Sequence, residues 1–423
     1  MSINDPAVSN IVDSLSYLQL TTRIVLPPLP DSLDPDSLPK AFQRKSMYRR
    51  SLAGGEGLKD WLARLTRLRN QRSRSFGYNS TIHLYLEMAG ITKDELTATL
   101  RQVDSASLVT YKNILNTIRK TIGVQGVGAE DLFFYRKYMA PGTGAKGLRI
   151  SRRRAFRACK NALNDLRLSL ENRPLFIDTL SVTQRIFNPA LVGVHPPDDV
   201  RLLVGGMGGM TSLDYLSNLS HALGRAVYLT GIIERPFTQR RPPSPLWERA
   251  MGQLISDIVF TRDYVMMAAW LDKYQWKKLR PWLESRRIIE LREQLALIQF
   301  ELDMYENPNR DLKELFWDIY ERFMLVTPQR ELYPWAKHFE LISEPAAQFC
   351  GLYSRLISAQ TFAHAVREFD SVEGNPDFGV FLSHAYYGPG ATRGWSDLLL
   401  DGLGERLNPQ YFLDRFDSGP REN

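Results

Sequence analysis

Cysteine is scarce in this chain: Cys159 and Cys350 are the only two in 423 residues. Two thiols far apart in sequence exclude a cysteine-built zinc site and argue against a disulfide framework. A reducing cytoplasm is the expected compartment. Histidine is also sparse, and His195, His338 and His384 show no ligand spacing with one another. Long hydrophobic runs are missing, and none reaches the roughly 18 consecutive apolar residues of a membrane-spanning helix. The first residues, MSINDPAVSNIVDSL, are polar and acidic. They carry no basic stretch followed by an apolar one, so no secretory signal is expected. No internal repeat, low-complexity tract or Ser/His/Asp order stands out. The Gly-rich GGMGGM lacks the Lys-Ser/Thr of a phosphate-binding loop and reads as the turn before a helix.

Basic residues are present in modest excess, with a net charge of +7 and a pI near 9.2. They are clustered. Arg44, Lys45, Arg49 and Arg50 form one run, and Arg64, Arg67, Arg69, Arg72 and Arg74 a second. Lys146 to Arg157 holds a third, and Arg235, Arg240, Arg241 and Arg249 flank a Pro-rich turn. Such clusters suit an acidic partner, a nucleic acid or an anionic surface. They equally suit solvated helix faces, the reading adopted here, because no nucleic-acid-binding motif accompanies them.

Residues 1–37 include PPLPDSLDPDSLP and read as an extended, Pro-rich arm. Leu58, Trp61, Leu62, Leu65 and Leu68 then recur at helical spacing. Gly90 ends the next helix, and Thr92 with Glu95 forms a capping box for another. That helix presents Tyr111, Ile114, Leu115, Ile118 and Ile122 on one face. Between residues 174 and 207 the pattern changes to short β-like runs, PLFIDTL, VTQRIF and VRLLVGG. Helical spacing returns from about Ser212 to Leu229, from Pro245 past Ile258, and through Ile288–Tyr305 and Leu312–Phe323. The expected fold is mainly α with a small β insert. The expected layout is the arm, one helical domain over 38–416, and a flexible tail over 417–423.

Several passages in order resemble the zinc metallopeptidases of the oligoendopeptidase F and thimet oligopeptidase group, which are related to the angiotensin-converting-enzyme-like peptidases. They are GLKDWLARLTRLRNQRSRSFGYNSTIHLYLEMAGITKDEL, HPPDDVRLLVGGMGGMTSLDYLSNLSHALGRAVY, SPLWERAMGQLI, LFWDIYERFM with LYPWAKHFELISEPAAQFCGLYSRLISAQ, and the C-terminal GNPDFGVFLSHAYYGPGATRGWSDLLL. The resemblance spans about residues 38 to 416. It implies a two-lobed helical fold around a deep cleft.

In that group an H-E-x-x-H helix places two His side chains on one helix face to hold zinc. The intervening Glu is the general base on the metal-bound water, and a Glu on the following helix is the third ligand. Here the motif reads Ser217-Asn218-Leu219-Ser220-His221. His221 matches the second His, Ser217 replaces the first, and Asn218 replaces the base. Glu248 matches the third ligand. Where the group carries Tyr and His near the developing oxyanion, this chain has Ala346, Ala347, Gln348 and Phe349. A serine hydroxyl is a poor zinc ligand, and Asn218 cannot take a proton from water.

The zinc site is therefore expected to be lost and the chain to be catalytically inactive. His221 and Glu248 are expected to remain as remnants, with Glu248 pairing to His221 or to a nearby Arg such as Arg225. Candidate binding residues are Arg225, Arg240, Arg241, Gln348, Tyr386 and Tyr387. The expected role is a pseudopeptidase that binds a protein or peptide segment within a larger assembly, for instance beside an active homologous subunit. One alternative is a metallopeptidase with a non-standard metal site completed by Asp214 or Glu234. Another is a basic module for nucleic acid or an anionic surface.

Overall fold

The computed structural model describes residues 38–141, 148–179, 189–205, 211–233 and 236–417. The Pro-rich arm, the VTQRIF run, Glu234 and the tail beyond residue 417 lie outside the described residues.

The chain is mostly helical. In order, its helices are α1 (Ala41–Ser51), α2 (Gly55–Ser75), α3 (Thr81–Met88), α4 (Lys93–Ile122), α5 (Ala129–Tyr138) and α6 (Arg152–Asp165). Three strands follow, β1 (Leu175–Asp178), β2 (Ala190–His195) and β3 (Asp199–Leu203). Then come α7 (Ser212–Leu229), α8 (Pro245–Val259), α9 (Arg262–Ala269), α10 (Lys273–Glu306) and α11 (Leu312–Met324). The last are α12 (Phe339–Ser343), α13 (Ala347–Phe369), α14 (Pro376–Phe381), a π-helical turn over Leu382–Tyr387, α15 (Trp395–Leu403) and α16 (Gln410–Asp417). No described helix is long and apolar enough to cross a membrane. Contacts divide the chain into two compact units. Of the described residues, unit 1 holds those within 38–141 and 279–349, and unit 2 those within 148–278 and 350–417.

In unit 1 the start of α4 follows the capping box read from sequence. The Thr92 hydroxyl accepts from the Glu95 backbone N–H at 3.1 Å, and the Glu95 carboxylate accepts from the Thr92 N–H at 2.7 Å. Leu96, Val103, Tyr111, Ile114 and Ile118 of α4 are buried, as the helical period dictates. Most members of the arginine runs are exposed, as the sequence reading has it, but Arg44 and Arg69 are buried. Arg44 is 3 % exposed and donates to Asp131 at 2.6 Å. Arg69 is 4 % exposed and donates to the Tyr305 hydroxyl at 3.1 Å and to the carbonyls of Leu341 (3.0 Å) and Ile342. Arg292 donates to the Phe323 carbonyl, the Ser107 hydroxyl and Asp104, with Tyr111 beneath its guanidinium. A buried guanidinium is tolerated only when such acceptors replace its hydration.

Glu301 is buried beside this network. It accepts from the Ala346 backbone N–H at 2.7 Å, while Ala346 itself sits in the left-handed region at φ 67°. Burial pushes the Glu301 carboxyl up to about 7, opposed by that bond and by Arg69.

In unit 2 the three strands form one sheet in the order β1-β3-β2. β1 runs parallel to β3, and β2 runs antiparallel to it. The expected runs at 174–180 and 200–206 supply β1 and β3, whereas β2 comes from ALVGVH, which the pattern reading missed. Val200 and Leu202 of β3 point inward and are buried, and Arg201 between them is exposed. The sheet leads into α7, whose Leu213, Leu216, Leu219, Leu223 and Val227 form the buried stripe of the unit.

Candidate functional site

The residues matched to the metal motif lie on α7 and α8, both in unit 2. A second capping box opens α7: Asp214 N–H donates to the Thr211 hydroxyl at 3.1 Å, and the Asp214 carboxylate accepts from Thr211 N–H at 3.3 Å. α8 starts at Pro245, with Ser244 as its cap accepting from Trp247 N–H at 3.3 Å. Proline at the first helical position costs no hydrogen bond there.

Two glycines set how closely these helices pack. A Cβ on Gly224 would lie 3.0 Å from the Gly252 Cα and 2.7 Å from the Ile255 Cβ. A Cβ on Gly252 would lie 2.7 Å from both the His221 carbonyl oxygen and the Arg225 Cγ. Ser220 and Ser256 hydroxyls meet across the same contact at 3.0 Å. A glycine in the middle of a helix is unfavourable by itself. Here the two glycines allow backbone to approach backbone.

His221 and Arg225 project from successive turns of α7 toward the first turn of α8. The Arg225 guanidinium grips one carboxylate oxygen of Glu248 with two nitrogens, Nε at 2.8 Å and Nη2 at 2.6 Å. The side chains are 28 % and 16 % exposed, so the pair is largely shielded from water. Of the two partners considered for Glu248, the structure selects Arg225. His221 is partly buried. Burial pushes its imidazole down to about 3, and the positive charges of Arg225, Arg249 and Arg355 add to this against a hydrogen bond at the Arg249 backbone. The ring is therefore neutral at physiological pH. Ser217 and Asn218 lie one turn earlier on α7 and are half-buried.

These residues do not fit a catalytic zinc ion. Zinc needs three protein ligands and an open position for water. Among the residues matched to the motif His221 is the one imidazole, the hydroxyl of Ser217 would have to lose a proton, and the Glu248 oxygen is already held by a cation. No carboxylate stands at position 218 to activate a water. Asp214, considered as a replacement ligand, is turned back onto the α7 N-terminus as a cap. Among the described residues no group of three His, Cys, Asp or Glu is gathered around one point.

The other candidate residues are scattered. Arg240 donates to Asp198 at 3.2 Å, and Arg241 is exposed and donates to the Thr238 carbonyl. Tyr386 and Tyr387 are fully buried, which places them in the core of unit 2 and not on an accessible binding face. Tyr387 packs edge-on against Tyr228, and Tyr386 against Trp247. Gln348 belongs to unit 1, where it is 5 % exposed and donates to Glu340 at 2.6 Å. Sequence reasoning did not single out Gly224, Gly252 or Arg355. An isolated glycine inside each of two consecutive helical patterns was the available signal for the close crossing.

Neither the known protein families nor the curated proteins give a match to this chain. Among solved structures it is similar to "PZ peptidase A with inhibitor 2", with a TM-score of 0.75 and 13 % sequence identity. The match covers 98 % of this chain and 76 % of that one. At this identity the likeness speaks for the fold alone, and the chain carries the mainly helical, peptidase-like fold of that protein.

Proposed function

We propose that this protein is a peptidase-fold chain without peptidase chemistry, and that it works by binding a protein or peptide segment as a subunit of a larger assembly. The observation that carries this reading is the Arg225 fork on Glu248. The guanidinium supplies one fixed positive charge at the carboxylate that the resemblance assigns as a metal ligand. It offers no exchangeable position for water, and Asn218 offers no proton acceptor beside it. Rate enhancement by a metal-bound nucleophile and by a general base, the latter worth about 10²–10⁴-fold, has no source here. What persists is the scaffold, and a scaffold kept after its chemistry is lost is suited to recognition.

The test is elemental mass spectrometry on protein purified without added zinc or chelator, together with cleavage of a quenched peptide. The proposal expects less than about a tenth of an equivalent of zinc, against near-stoichiometric loading of a closed site, and no chelator-sensitive cleavage. Near one equivalent of zinc with chelator-sensitive turnover would overturn it and point to the non-standard metal site instead.

A further inference from the structure

Unit 1 carries a polar groove that none of the residues discussed above explains. One wall is the exposed face of α2, where Arg67, Gln71 and Arg74 fall at positions i, i+4 and i+7. The other wall is the α10–α11 connection, Asn307–Arg310. They enclose a pocket of about 930 Å³. A second pocket of about 380 Å³ adjoins it, sharing Arg67, Pro308, Asn309 and Arg310 and adding Lys59 and Lys313. The two form one elongated groove with five cations along it.

Lys59 reaches Glu56 at 3.8 Å and the Tyr333 hydroxyl at 3.5 Å, and the arginines are poorly neutralised. Arg67 has no hydrogen bond or ion pair among the described residues. Arg74 spends only its Nε, on the Asn79 carbonyl at 3.3 Å. Arg310 reaches Asp318 only at 3.9 Å. Of the three carboxylates lining the groove, Glu306 is paired with Lys93, and Asp311 caps α11 by accepting from the Lys313 and Glu314 backbone N–H groups. Asp60 and the capping Asp311 both line the smaller pocket, and neither lines the larger one that holds Arg67, Gln71 and Arg74. The side-chain amides of Gln71, Asn307 and Asn309 make no bond within the described residues.

We propose that this groove binds an acidic peptide segment in extended form. Guanidinium forks match carboxylates in two-point geometry. The free side-chain amides between them can bond the N–H and C=O groups that an extended backbone presents. Arg67 and Arg74 lie about 10 Å apart along the helix at 1.5 Å per residue. Carboxylates on one face of an extended chain recur about every 7 Å, within reach of these two long side chains. A single-stranded nucleic acid fits less well, because it needs exposed rings for base stacking. Tyr333 is covered by Lys59 and Lys313, at 4.8 and 5.8 Å from its ring centre, and Trp335 is 2 % exposed. The groove is formed within unit 1, and the inference holds whether or not the α7–α8 pair is catalytically silent.

The test is fluorescence anisotropy of the full chain with a labelled peptide of alternating Glu and Ser, beside its Gln/Ser counterpart and an oligouridylate. The Glu peptide should bind, more weakly as salt rises, and the Gln peptide should not. The double variant R67A/R74A should weaken binding by roughly tenfold per arginine. R119A/K120A, which removes the same charge from exposed positions of α4, should change it less than about threefold. Gln71→Glu, which leaves both arginines in place, should also weaken binding, so the result does not hang on one variant. Absence of Glu-peptide binding, or equal losses in the two double variants, would overturn the proposal. Tighter, Arg67- and Arg74-dependent binding of oligouridylate would overturn it in favour of a nucleic-acid site.

Discussion

Rebuilding the metal motif should fail while Arg225 is in place and succeed better once it is removed. The perturbation is Ser217→His with Asn218→Glu, made with and without Arg225→Ala. Ser217 and His221 are four apart on α7, so two histidines there share a face. Zinc would still have to take Glu248 from the guanidinium, which holds it with two nitrogens at 2.8 and 2.6 Å. Exposed ion pairs are worth about 0–1 kcal/mol, and breaking buried ones costs about 3–5 kcal/mol. With side chains 28 % and 16 % exposed, this pair falls between, at about 2 kcal/mol. That is roughly a 30-fold difference in zinc affinity at about 1.4 kcal/mol per factor of ten. Competition against a chromophoric chelator measures it directly. The Arg225→Ala background should bind zinc roughly 30-fold more tightly than the Arg225 background. Equal affinities in the two would refute the claim that Arg225 holds the carboxylate against a metal.

The remaining predictions concern stability. His221 titrates at about 3 in the fold against 6.5 for the free side chain. The unfolded chain therefore binds more protons across that interval, and stability should rise with pH from about 3 to 6.5 and level off above, with a slope of up to about 1.4 kcal/mol per pH unit. His221→Gln should flatten that slope in urea melts at a series of pH values, and an unchanged slope would refute it. Glu301 has the opposite sign. Its folded value of about 7 lies above the ordinary 4.5, so stability should fall as pH rises from 4.5 to 7. Glu301→Gln keeps an acceptor for Ala346 N–H and should raise the thermal midpoint at pH 8; a drop there would count against the assignment. Arg69→Ala strands two backbone carbonyls and the Tyr305 hydroxyl and should cost about 3 kcal/mol or more, read as a lowered urea midpoint. Gly252→Ala should cost about 1–3 kcal/mol by overpacking, whereas an ordinary helix glycine gains from the same change. A neutral or stabilising result would show that the α7–α8 crossing is looser than drawn.

Local signals were legible in the sequence and distant ones were not. The Thr92–Glu95 box, the limits of α7 and the start of α8 all follow from side chains within four residues of the backbone they cap. The match of Ser217-Asn218-Leu219-Ser220-His221 to a ligand motif was likewise a local reading, made from five consecutive residues. The fates of Arg44, Arg69 and Arg292 were hidden, since their acceptors lie far along the chain. A periodic pattern reports which face a residue occupies, not whether a carbonyl from another helix waits there. For the same reason Tyr386 and Tyr387 read as accessible aromatics, although both complete the unit 2 core. Strand β2 escaped notice because its outward Val192 and Val194 blur the alternation of a half-buried strand.

The Arg225–Glu248 tie has a consequence for how the protein meets its surroundings. A fold clamped by a captured ion draws part of its stability from the free concentration of that ion, by mass action. A clamp made from two side chains of the same polypeptide is always at full occupancy. Under the proposed function, chelators and metal starvation should leave the stability of this helix pair unchanged.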